Sequence, residues 1–335
     1  MKNRTDIKKP TACNGFTIVE LLIAVSLSLI LSIAVVTVFA SNRHSFNQDE
    51  NIQRMQDDAR HALREITFEI SMAGHYADLL IPGSVTRDNN LTLTTDCGPI
   101  GSAEWMYQTV QAGTGQFLSV VGLDNATPGE AAANFTCINA AEFKDGTDVV
   151  AIKRVAGVRT AVPTNGSVYL RTNGTVGLLY QEPLITPPVI AVPAPNAVWE
   201  YRPSIFYIRT FANTPGDGIP TLCKKVLRGP APGMTTECVA TGIEDLQIEY
   251  GIDTSGDGFA NVYSPSPTLA DMQTVVVARV SLLARAAERD TKYENDKTYS
   301  LSNADPFSPD DGFRRQVVST TIGIQNIRSL IAMGL

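Results

Sequence analysis

Histidine is nearly missing from this chain. Its three copies are His44, His61 and His75, and none follows residue 75. A Ser-His or Cys-His nucleophilic pair in the long remainder would therefore have no base. Runs of basic residues are absent after the first nine positions, and the net charge is −7. That balance argues against non-specific nucleic-acid binding, which rests on cationic contacts to phosphate. The five cysteines include no CxxC pair and have no neighbouring histidine, so the usual zinc spacing is not met. Gly113-Thr114-Gly115 is too short for a phosphate-cradling loop and has no helix signal after it. Paired carboxylates such as Glu244/Asp245 and Asp310/Asp311 read as solvated surface. No enzymatic activity is expected, and no cofactor beyond the calcium considered below.

Two further absences are local. No Pro and no Gly occurs between Phe16 and Ala73, and Glu20 is the only charged residue from Phe16 to Ala40. Those 25 residues exceed the ~20 apolar positions needed to cross a ~30 Å hydrocarbon core. After them Ile52, Met55, Ala59, Ala62, Leu63, Ile66, Ile70 and Ala73 recur at steps of three and four. This is one apolar stripe of an amphipathic helix. Asp49, Glu50, Asp57, Asp58, Arg60 and Arg64 fill the opposite face. Gly74 supplies a stop. The pattern predicts one helix over Phe16–Ala73, roughly 87 Å long at 1.5 Å per residue. Its second half must bury its stripe, and a sheet is the obvious partner.

The stretch from Lys8 to Ala24 joins a short basic leader to this helix through Gly15, Phe16, Thr17, Glu20 and the run Leu21-Leu22-Ile23-Ala24. It resembles a class III prepilin signal of the type IV pilin superfamily. The resemblance implies that a prepilin peptidase cuts between Gly15 and Phe16, that the new Phe16 amine is methylated, and that Glu20 helps place the subunit in a filament. Unlike an ordinary secretory signal, this one keeps its apolar run after processing. Glu20 also has a local reading, since Thr17-x-x-Glu20 is a capping box. A carboxylate near hydrocarbon needs a partner; the resemblance supplies the Phe16 amine of the same or a neighbouring subunit. The leader carries a net +3 from Lys2, Arg4, Lys8 and Lys9 against Asp6, leaving the mature chain near −10. Cations beside a span favour the cytoplasmic side. This gives a single span of the bacterial inner membrane with a periplasmic head.

From Leu91 the pattern turns to strands: Leu91–Thr95, Phe117–Val121, Asp148–Arg154, Ser167–Arg171, Val176–Gln181, Trp199–Phe211, Thr221–Leu227, Gly242–Gly251, Thr274–Arg285 and Arg314–Ile324. Asn165-Gly166 and Asn173-Gly174 mark tight turns of a meander. Strands follow one long helix instead of alternating with helices, so the class is α+β, a long N-terminal helix packed on a largely antiparallel sheet, the pilin-like lollipop. The domains expected are a leader (1–15), a membrane or filament-core half-helix (16–40), an amphipathic half-helix (41–74) and a β-rich head (75–335). Pro183–Pro203 holds six prolines and reads as an extended surface segment, with a sub-domain break near 182–198. Segments of the head, including Gly218–Cys223, Gly242–Asp253, Val277–Ala286 and Arg314–Thr321, resemble the PilW-type minor pilins; nothing between Ile81 and Ile208 does so.

Cys13 falls in the leader. Cys97, Cys137, Cys223 and Cys238 remain, an even number for an oxidising compartment. Three pairings are available, and proximity favours Cys223–Cys238 and Cys97–Cys137. Asp253, Ser255, Asp257, the Phe259 carbonyl and Asn261 alternate as oxygen donors, with Gly258 at position six, like the start of an EF-hand loop. Position twelve is Ser264 instead of Glu, and the alternative is a hairpin turn built on Asp-Gly. Taken together, the resemblance implies a structural minor pilin that initiates assembly at the pilus tip. Its partners would be other minor pilins, the major pilin, the prepilin peptidase and a tip adhesin. A J-type minor pseudopilin of type II secretion is the nearest rival; a membrane-anchored periplasmic enzyme or binding module is another.

Overall fold

The computed structural model describes residues 15–79, 82–91, 93–94, 96–98, 119–184, 192–229 and 233–332. The leader before Gly15, Gly113-Thr114-Gly115, Phe117 and parts of Leu91–Thr95 and of the 182–198 break lie outside these residues. The chain falls into two compact units, one ending at Glu50 and one starting at Asn51.

Helix α1 runs Ile18–Ser71, 54 residues without a break. Every residue from Phe16 to Ala40 is exposed. Within the second unit, Met55, Ala59, Ala62, Ile66 and Ile70 of α1 are buried on one face, the stripe that the periodicity predicts. They enter a core with Val150, Phe206, Leu246, Ile248, Tyr250, Val280 and Leu282. Ala59 and Ala62 are fully buried, so the helix backbone comes close to the strands beneath it. Gly74 follows with φ +74°, and its N–H donates to the Lys153 carbonyl at 3.0 Å. This left-handed turn is cheap only for glycine.

Among the described residues thirteen strands follow in chain order: β1 (Val85–Arg87), β2 (Val120–Ala126), β3 (Thr147–Ile152), β4 (Val168–Thr172), β5 (Gly177–Gln181), β6 (Ala197–Glu200), β7 (Ser204–Arg209), β8 (Thr221–Arg228), β9 (Gly233–Thr241), β10 (Ile243–Ile252), β11 (Val262–Ser264), β12 (Val275–Arg285) and β13 (Arg315–Gly323). Two short helices join them, α2 (Pro128–Asn134) and α3 (Gln325–Ala332). The strands form three sheets, ordered β1-β5-β4-β6, β2-β3-β7-β8-β9 and β11-β10-β12-β13. Among the described residues only β1 and β5 pair in parallel; every other strand pair there is antiparallel. The class is α+β, as the order of patterns predicts.

The five-stranded sheet is covered on both faces. Along β3 and β7, Val150, Ile152, Phe206 and Ile208 point into the core under α1. The alternate residues Val149, Ala151, Ile205 and Tyr207 pack with Phe135, Ile138 and Phe143 on the other side. This period of two explains why β3 is buried at every position.

Several expectations need correction. Trp199–Phe211 is two strands in two different sheets, divided around Arg202-Pro203, because Pro cannot donate to a ladder. Leu93 and Thr94 are not in a strand. The meander is one hairpin, β4–β5 across Asn173-Gly174, with β6 on the far side of β4. Helices α2 and α3 and the strands β1, β9 and β11 go unpredicted.

Candidate assembly interface

The start of α1 is a closed local ring. Thr17 donates to Glu20 Oε2 through its N–H (3.0 Å) and its hydroxyl (2.9 Å), and the Glu20 N–H donates to Thr17 Oγ1 at 3.2 Å. This is the capping box of the sequence. Gly15, Phe16 and Glu20 are all exposed. The Phe16 nitrogen is here a neutral amide.

The apolar stretch that follows carries four hydroxyls, and each is satisfied within the helix. Ser26 donates to the Ile23 carbonyl (2.9 Å), Ser28 to Val25 (2.9 Å), Ser32 to Ser28 (2.8 Å) and Thr37 to Ile33 (2.9 Å). In hydrocarbon no water would satisfy them, so these bonds suit a lipid surround. Among the described residues, α1 is the one helix long and apolar enough to cross a membrane.

The end of α1 is fixed by charge. Glu69, nearly buried, takes a two-pronged contact from Arg154 just past β3, with Nε–Oε2 at 2.6 Å and Nη2–Oε1 at 2.7 Å. Beside it Lys153 is fully buried. Burial pulls its pKa down to about 7, against the upward pull of Asp96. Sequence reading missed all three, since Lys153-Arg154 closing a strand looks like an ordinary surface pair.

Of the carboxylate pairs expected at a solvated surface, Asp310 is exposed, Asp245 and Asp311 are half-buried and Glu244 is buried. Glu244 is buried and holds Arg315 and Arg285; Arg315 also grips Asp311 at 2.7 Å. Burial raises Asp245 to about 6 despite a hydrogen bond from Gln247. Each acid of the Arg315 cluster is committed to a cation, which leaves no free acid–base pair there.

In the Asp253 loop the oxygens serve the loop itself. Asp253 Oδ1 accepts from the N–H of Ser255 (3.0 Å) and Gly256 (2.7 Å), and Oδ2 from Gly258 (2.6 Å). Burial opposes charge on Asp253, but these amides outweigh it and hold the carboxyl below its usual range. Asp257 accepts from the Phe259 N–H at 2.9 Å, and Asn261 Oδ1 from the Thr254 N–H at 3.0 Å. Among the described residues no group of three or more His, Cys, Asp or Glu side chains is placed to hold a metal ion.

Among the described residues there are two disulfides. Cys223–Cys238 joins β8 to β9, and Cys97–Cys137 ties the segment before β2 to the one after α2.

Residues 205–326 match the family described as Type IV Pilus-assembly protein W. The match runs from β7 into α3 and takes in the Cys223–Cys238 bond, the Asp253 loop and the Arg315 cluster; α1 lies outside it. It supports a type IV pilus PilW-type protein and involvement in type IV pilus assembly. No curated protein and no solved structure matches the chain.

Proposed function

We propose that the chain is a minor pilin precursor that takes part in starting type IV pilus assembly, at the tip. The single observation that carries this reading is α1. One helix presents an exposed apolar half of membrane length and a second half that is a structural part of the head core. The PilW-type match within the same head supports a pilus over the J-type pseudopilin. In this reading the peptidase cuts after Gly15, the Phe16 amine is methylated, and Glu20 pairs with such an amine in the filament. The head stands in the periplasm until assembly. The other minor pilins, the major pilin and a tip adhesin are the partners. Polar pairing and packing, more than water exclusion, decide the transfer from lipid to filament. The Asp253 loop acts as a self-closed turn in this proposal.

The test is deletion of the gene in a strain unable to retract pili, with surface filaments counted by electron microscopy. Loss of filaments, restored by the intact gene, is the expected result. Normal filament numbers together with impaired protein export would favour the pseudopilin instead.

A further inference from the structure

The five-stranded and four-stranded sheets meet along β10, and acids occupy the joint. Strand β11 pairs with β10 only over Tyr250–Ile252. Two residues earlier, the Ile248 N–H donates to Asp148 Oδ2 on β3 at 2.7 Å. Oδ1 of the same carboxyl accepts from the Asn125 N–H at 2.8 Å, where the β2–β3 register shifts. A side chain thus takes the amide that a longer β11 would have taken. Gln247, fully buried, adds a second tie. Its Nε2 donates to Asn125 Oδ1 (3.2 Å), to the Gly146 carbonyl (3.2 Å) and to Asp245 Oδ1 (3.1 Å).

The joint is rich in acceptors and short of positive charge. Asp148, 2 % exposed, and half-buried Asp124 belong to the five-stranded sheet. Asp245 and Glu244 face them from β10. Glu244 is matched by Arg285 and Arg315. Asp124 accepts from Asn303 Nδ2 at 2.7 Å, an uncharged donor. Tyr250 brings no charge, because burial, then Asp148 and Asp124, push its pKa up. A cavity of about 580 Å³ opens on one side, walled in part by half-buried Lys144, exposed Asp145 and Asp305, and Asp245. The buried side-chain atoms without a partner in this joint, Gln247 Oε1 and Asn303 Oδ1, are both acceptors.

Like charges in a poorly solvated site resist ionising together. Burial drives the Asp148 carboxyl well above the usual range; its two amides oppose this, and Asp124 and Asp245 add to it. Burial raises Asp245 to about 6 against Gln247, the Leu246 N–H and Lys144, with Glu244 adding to the rise. We propose that the joint is a proton-operated clasp: protons taken up on its carboxyl groups close the two sheets on each other, and their loss sets like charges against one another across the joint. The cavity gives solvent protons a way in. A carboxyl whose folded pKa lies above its ordinary value holds a proton that the unfolded chain releases. For Asp245 the closure is therefore strongest below 3.8 and is lost as pH rises through about 6. Asp148 acts with the same sign. The clasp does not depend on a role in pilus assembly.

The experiment is hydrogen exchange of the Asn125 and Ile248 amides in the intact chain in detergent micelles, corrected for intrinsic exchange. One unit below the folded pKa of Asp245, at about pH 5, protection should be roughly tenfold greater than at about pH 7.5. Asp245→Asn keeps an acceptor for Gln247 and is the neutral isostere of the protonated acid. It should retain the protection seen in acid and lose most of the dependence on pH. A tie that is only structural would instead be weakened equally at both values. Asp124→Asn, at a half-buried position, supplies the same comparison if Asp245→Asn fails to fold. Equal protection at the two pH values, greater protection at the higher one, or an unchanged pH dependence in the folded acid-to-amide variant would overturn the proposal.

Discussion

Glu69 and Arg154 form the contact where one side chain carries most. The two are nearly buried and matched prong for prong. Breaking such a pair from one side strands a charge in a poor solvent, at about 3–5 kcal/mol. Glu69→Ala should therefore lower unfolding free energy by about that much in urea titration of the intact chain in micelles. Lys153 gives a pH dependence with a definite sign. Burial depresses its folded pKa to about 7 from 10.5. Between those values the unfolded chain binds more protons, so this residue makes stability rise with pH across the window and adds no further change below 7. Lys153→Met should flatten the rise in melting temperature between about pH 7.5 and 9.5, a window set by that depressed value. Neither residue was legible beforehand. Burial of a charged pair depends on what packs over it, and both partners of the ion pair sit at the ends of elements far apart in the chain.

Elements announced themselves in proportion to their length and the regularity of their pattern. The α1 stripe repeats over five turns with no Pro or Gly, and only a helix fits it. Helix α2 escaped although Thr127-Pro128-Gly129-Glu130 holds both a capping box and Pro at the first turn. It has seven residues and a single buried side chain, so no apolar period develops. Strand β9 escaped because it is a sheet edge, with Thr235, Thr236 and Glu237 facing outward in place of an apolar alternation. It is held at Cys238. Replacing Cys223 and Cys238 together by Ser frees a loop of 15 residues, which in the chain-entropy model removes roughly 3 kcal/mol. A matching fall in denaturant midpoint is the expected outcome. The Asp253 loop, whose acceptors are already used by its own amides, should show no shift in melting temperature on adding millimolar calcium; a rise would reveal a cation site there.

At the scale of the whole molecule the chain divides its labour. The described part of the first unit is an exposed helix, apolar as far as Ala40; the second unit buries several cores. The helix start was legible because Gly15, Phe16, Thr17 and Glu20 fall within six consecutive residues. Glu20→Ala removes a carboxylate from the span, a group whose insertion costs roughly 2.5–3.5 kcal/mol at mid-bilayer. The variant should insert in the membrane normally yet enter filaments poorly, read by fractionation and by counting the subunit in sheared pili. Normal incorporation would reduce Glu20 to its capping role with Thr17.

The hydroxyls of Ser26, Ser28, Ser32 and Thr37 each give their proton to a carbonyl one turn back. Such a surface makes no polar demand on its surroundings. Nothing has to be broken when it leaves one neighbour, and nothing has to be formed when it meets the next. The span is a bearing more than a socket. In the proposed transfer from lipid to filament it would turn and slide without catching, and whatever gives that transfer a direction would reside at its two ends.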